Sequence, residues 1–88
     1  MTTRPLRVIA AEIAAEWPQA MKPGEVGFFG MGEHPAHPYI EAMMSLNDIN
    51  QSYYQDSARS IVRYFLSNAQ SWRGDTARRI KAELKGML

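Results

Sequence analysis

Glu33-His34-Pro35-Ala36-His37, with Glu41 four residues on, is the only cluster in this chain whose side chains suit a metal ion. Two imidazoles and a carboxylate would serve zinc or another borderline cation. The prolines hold this stretch extended, the two histidines do not share a helical i,i+4 face, and no second histidine pair completes a set. No metal site is therefore expected at His34 and His37. They are also the chain's only histidines, so a Ser-His-Asp triad would have to take its base from a loop. With no cysteine in the sequence, disulfides, thiolate zinc sites, iron–sulfur clusters and a cysteine nucleophile are excluded together.

Gly24-Glu25-Val26-Gly27-Phe28-Phe29-Gly30-Met31-Gly32 has the glycine content of a phosphate-binding loop. Such a loop needs a Lys-Ser or Lys-Thr pair entering a helix, or a third glycine at fixed spacing. Here Glu33 follows and would repel phosphate, and Pro35 stands where the dinucleotide pattern needs glycine. No cofactor is expected. Arg73-Gly74-Asp75 spells an adhesion tripeptide but straddles an expected helix start, where it would not be displayed at a loop tip.

The basic side chains of the C-terminal half are the stronger signal. Arg73, Arg78, Arg79, Lys81 and Lys85 fall on and before the last helix, and 78, 81 and 85 share a helical face. With a preceding helix they resemble a DNA-binding α–turn–α unit. Three features weigh against it: an overlong preceding helix, a sequence pI near 8.1 where such domains exceed about 9, and few base-reading amides. The competing signal is apolar. Six methionines and two tryptophans in 88 residues exceed what a small core readily takes, and Met-rich surfaces adapt to partners. Trp72 with Met21, Met31 or Met87 would form a contact patch if exposed.

The elements that must position these residues are helical. After Thr3-Arg4-Pro5, a helix entry, Leu6, Ile9, Ala10, Ile13, Ala14 and Trp17 make one apolar stripe that Pro18 ends. Residues 18–37, rich in Gly and Pro, read as a long loop whose Phe28 and Phe29 fold back as a lid. A short helix over 38–46 turns Ile40, Met43 and Met44 inward, and Asn47-Asp48 stops it. Ala58, Ile61, Val62, Phe65, Leu66 and Ala69 define a third helix capped by Asp56 or Ser57, with Ser52 to Gln55 offering an earlier capping box. A fourth runs from Ser71 or Asp75 to the end, with Trp72, Ala77, Ile80, Leu84, Met87 and Leu88 on one side. No stretch alternates with period two for long enough to make a sheet.

The expectation is an all-α single domain over residues 1–88, four helices around one core. The longest uncharged run, Tyr64 to Trp72, is nine residues against about 20 for a membrane-spanning helix. Glu12 and Glu16 interrupt any secretory leader, so a cytoplasmic chain with no membrane contact is expected. Net charge is +1, but residues 1–50 carry three bases against six acids and residues 51–88 seven against three. Opposite charge on the two halves allows complementary packing within the chain, attraction to an acidic partner, or solvated helix faces.

Arg4-Pro5-Leu6 with Ile9-Ala10-Ala11-Glu12-Ile13, Pro38-Tyr39 with Ala42-Met43, Ser60-Ile61-Val62-Arg63-Tyr64-Phe65-Leu66, Trp72-Arg73-Gly74-Asp75, Ala77-Arg78-Arg79 and Lys81-Ala82-Glu83-Leu84 resemble a group of short helical proteins of actinobacteria and their phages. The resemblance covers both ends and the middle of the chain but not the glycine-rich stretch. It implies a phage or prophage origin and a small accessory or regulatory role, with no assigned activity. The expected function is thus a non-enzymatic protein that binds another macromolecule. A protein partner or a second copy is favoured over DNA, with Trp72, Arg73, Arg78, Arg79, Lys81 and Lys85 as the contact residues.

Overall fold

The computed structural model describes residues 4–21 and 34–88. Four helices are present: α1 (Leu6–Glu16), α2 (His37–Met44), α3 (Ala58–Ser67) and α4 (Asp75–Lys85). A hairpin of β1 (Ser52–Tyr53) and β2 (Asp56–Ser57) precedes α3. Among the described residues no helix is long and apolar enough to cross a membrane.

Helix α1 starts at Pro5, whose fixed φ of −61° suits a helix entry but whose side chain cannot cap it. Its first free amides are met from a distance. Leu6 N–H donates to the Asn47 carbonyl at 3.2 Å and Arg7 N–H to that of Leu46 at 2.8 Å, so the chain leaving α2 caps α1. Thr3, the expected cap, lies outside the described residues. The helix ends one residue before Trp17, as Pro18 requires.

Pro18–Met21 then form a 3₁₀ turn with Ala20 buried, which corrects the expectation of loop from residue 18 onward. The four glycines, Phe28, Phe29 and Met31 lie outside the described residues. The chain is described again at His34, and α2 begins at His37, with Pro38 in its first turn. Ile40 and Met43 are buried as expected, but Met44 is 39% exposed. The helix stops at Met44, and Leu46 beyond it takes the inward position.

The hairpin is a second correction, since no strands were expected. Ser52 pairs with Ser57 and Tyr53 with Asp56, and the intervening Tyr54 has φ of 55°. Ser52 and Gln55 therefore serve a turn and not a capping box. The real cap of α3 is Ser57, whose Oγ accepts from Ser60 N–H at 3.1 Å. Ala58, Ile61, Val62 and Phe65 face inward, and Asn68 closes the helix by donating from Nδ2 to the Tyr64 carbonyl at 2.8 Å.

Gly74, at φ 114°, turns the chain into α4, a conformation that a side chain would strain. Ala77, Ile80 and Leu84 are buried. Met87 only packs against the edge of the core and Leu88 is exposed, because the helix ends at Lys85 before its apolar face reaches them. Helix α1 packs on α2 and on α4, and α2 on α3. Leu6, Ile9, Ile13, Ile40, Met43, Val62, Phe65, Ile80 and Leu84 fill the single core between them.

A candidate partner-binding face on the last helix

Helix α4 is held to the core by Ala77, Ile80 and Leu84, and this fixes which of its basic side chains point outward together. Arg78, Lys81 and Lys85 recur at spacings of three and four, on the side away from Ile80. Arg79, one position on from Arg78, is turned about 100° around the axis. It reaches α1.

There Arg79 pairs with Glu12. Glu12 also meets Arg4 at 2.9 Å, and Arg4 grips Glu83 of α4 in a two-pronged contact at 2.6 and 2.9 Å. Arg4, Glu12, Arg79 and Glu83 thus form one network tying the start of the described chain, α1 and α4. The hydrogen bond from Arg79, then that from Arg4, holds Glu12 below the usual carboxylate range. Arg4 does the same for Glu83. The opposite charges of the two halves meet in part within the molecule, and Arg79, though 53% exposed, is engaged with α1. Sequence reasoning gave no role to Arg4, Glu12 or Glu83; their charges carried the signal, but their adjacency depends on how α1 crosses α4.

The other basic residues converge. Arg73, Arg78 and Lys81, with Gln70 and Gly74, line a shallow cleft of about 330 Å³, and Trp72 and Ala77 complete its lining. Lys81 Nζ donates to the Trp72 carbonyl at 2.6 Å. Burial, then the neighbouring charges of Lys85 and Arg73, push the Lys81 ammonium below its usual value. Burial is the larger cause, and the two neighbouring cations add to it. Arg78 touches Asp75 at 3.0 Å, but both side chains are largely in solvent, so the contact contributes little. Among the described residues the Arg73 and Lys85 side chains make no hydrogen bond or ion pair. Gln70 was not anticipated; its place in the turn beside Trp72 was the available signal.

Trp72 corrects the expected apolar patch. It is 5% exposed and stacks on Trp17 with ring centres 5.3 Å apart and planes 4° from parallel. Trp17 in turn receives the edge of His34 at 4.7 Å. Met43 is fully buried, and Met21 and Met87 lean on the core. Among the described residues both tryptophans and Met21, Met43 and Met87 pack on the core, while Met44 is exposed.

The two histidines do different local work. His34 Nδ1 accepts from Ala36 N–H at 3.0 Å, and burial lowers its pKa. His37 is buried at the start of α2, with Nε2 3.5 Å from Glu41. Among the described residues no three potential ligands gather in a metal-binding group; Glu33 lies outside them.

Helices α3 and α4 are joined by residues 68–74, longer than the three- or four-residue turn of a helix-turn-helix unit. The preceding helix, at ten residues, is shorter than anticipated. Helix α4 packs on α1, with slight contact at most to α3.

No protein-family model matches the chain, and no curated protein or solved structure matches it significantly.

Proposed function

We propose that this protein is a small, non-enzymatic, cytoplasmic binding module that docks a protein partner through the cleft at the start of α4, in an accessory or regulatory role that fits a phage or prophage gene. One observation carries the reading. Arg73, Arg78 and Lys81 line one shallow cleft, with Lys85 one turn further on, while the other candidate cation, Arg79, pairs with Glu12 of α1. Cations converging on one concavity serve recognition, because electrostatic complementarity sets orientation and encounter rate. Neither histidine lines this cleft.

A DNA-binding reading draws on the same cations and is weaker on two counts. The α3–α4 connection lacks the compact turn of a reading head, and Asp75 sets a fully exposed carboxylate among the bases. A photo-crosslinking residue at Gln70, on the cleft rim, tests the assignment in host cells, with Gln51 as a control site. A discrete protein adduct from 70 and not from 51 is expected. Adducts to nucleic acid, or identical adducts from both sites, would reject it.

A further inference from the structure

The α4 cleft offers a ligand hydrogen-bond donors and positive charge. Trp72 and Ala77 are 5% and 1% exposed, so they close its floor without presenting apolar surface. What remains for contact is Gln70, Arg73, Gly74, Arg78 and Lys81, and among the described residues no carboxylate belongs to the lining. On the reading that this cleft docks a protein, we infer that it holds a phosphorylated side chain of the partner, a phosphomonoester met by Arg73, Arg78 and Lys81 together.

The donors of the three side chains can all be turned to a ligand. Arg73 spends none of its own within the described residues. Arg78 is held only by Asp75 at 3.0 Å, with both side chains largely in solvent, so a doubly charged ligand displaces a contact of small worth. Lys81 gives one N–H to the Trp72 carbonyl and keeps two more. A carboxylate brings one charge and two oxygens to such a place. A phosphomonoester brings nearly two charges and three acceptor oxygens, so a single group meets all three cations and needs no apolar side chain buried beside it. Clustered arginines recognise phosphorylated segments in this way. Nucleic acid fits less well: its charges are single and spaced along a strand, while the same face of α4 carries only Lys85 beyond the cleft. Unpaired bases need a ring to stack on, and Trp72 is buried.

The test titrates the isotope-labelled full chain, followed by heteronuclear NMR, with five probes. The first is a short capped peptide of Gly, Ala and Gln around one phosphoserine. The second has Ser in its place, the third two adjacent Asp that restore the charge, the fourth is inorganic phosphate and the fifth a short DNA duplex. Shifts confined to residues 70–81 are expected with the phosphopeptide, none with the Ser peptide, and binding about tenfold weaker with the Asp peptide, which lacks the third oxygen. Arg73→Gln should weaken the phosphopeptide about tenfold, as loss of a hydrogen bond to a charged group does. Lys85→Gln removes the same charge just outside the cleft and should cost about twofold at most, through screened charge alone. Both side chains are exposed and make no bond among the described residues, so the two variants keep the fold. Equal binding of the phosphoserine and Asp peptides, equal losses in the two variants, or shifts that map elsewhere would each sink the inference. So would inorganic phosphate or the duplex binding as tightly as the phosphopeptide. Protein crosslinks at position 70 combined with no response to the phosphopeptide would reject this partner chemistry while leaving the docking face standing. Phosphopeptide binding with no protein adduct at 70 would overturn the docking reading itself.

Discussion

Arg78 and Arg79 are adjacent in sequence and opposite in circumstance. Arg79 is clamped to Glu12 of α1, while Arg78 reaches only the exposed Asp75. Substituting Arg79→Ala should destabilise the fold by about 0.5–1 kcal/mol, the upper end for partly exposed pairs. Arg78→Ala should stay within about 0.5 kcal/mol of the parent. Urea midpoints measure both, and equal losses would contradict the assignment of Arg79 to an internal network. Trp72 is a larger case. Buried and stacked on Trp17, it should cost about 3–5 kcal/mol when cut to Ala, enough to unfold a domain of ordinary stability. The spacing sets Arg78 on the face of Lys81 and Lys85 and leaves Arg79 off it, but that Arg79 meets Glu12 depends on how α1 crosses α4, which local spacing does not show. The same holds for Trp72, whose stacking partner lies at the far end of the first helix.

The elements were legible where an apolar repeat runs for two turns or more. Ile61, Val62 and Phe65 mark α3, and Leu6, Ile9 and Ile13 mark α1; Pro18 ends α1 where expected, whereas α3 stops at Ser67, short of the Ala69 assigned to it from the spacing. The hairpin was not legible, since two-residue strands are too short to show alternation. Its turn also carries Tyr54 at φ 55°, where Gly or Asn is the usual signal. Tyr54 is 88% exposed, with only an edge contact to Tyr53 at 4.7 Å to hold it. Tyr54→Asn should therefore raise stability by about 0.5–1 kcal/mol, as a residue at ease with positive φ replaces one that is strained. A fall in the thermal midpoint would show that the Tyr53–Tyr54 contact outweighs the backbone cost. The cap of α1 escaped the sequence for another reason: it is supplied by the carbonyls of Leu46 and Asn47, which local spacing cannot reveal.

Across the whole molecule, the charge division of the sequence becomes a tether between α1 and α4, and it sets the response to acid. Glu12 and Glu83 titrate lower in the folded protein than in the unfolded chain, so the unfolded state takes up protons first. Their stabilisation is complete above the ordinary carboxylate pKa of 4.5 and is lost as pH falls through the lowered values. His34, also lowered, adds an earlier loss that starts below 6.5. Stability measured by denaturant titration should thus be level near neutrality and decline in two stages on acidification. The upper stage should disappear in His34→Gln, whose amide oxygen can still accept from Ala36 N–H. A profile that rises between neutrality and pH 4.5 would falsify this account.

Indole rings held nearly parallel share their excited states. The Trp17–Trp72 pair should consequently give the folded protein a split circular-dichroism band in the indole absorption region, absent from the unfolded chain and from either Trp→Phe variant. Because one ring belongs to the close of α1 and the other to the approach to α4, that band is an optical gauge of how these two segments are seated, readable without a label while a ligand is added.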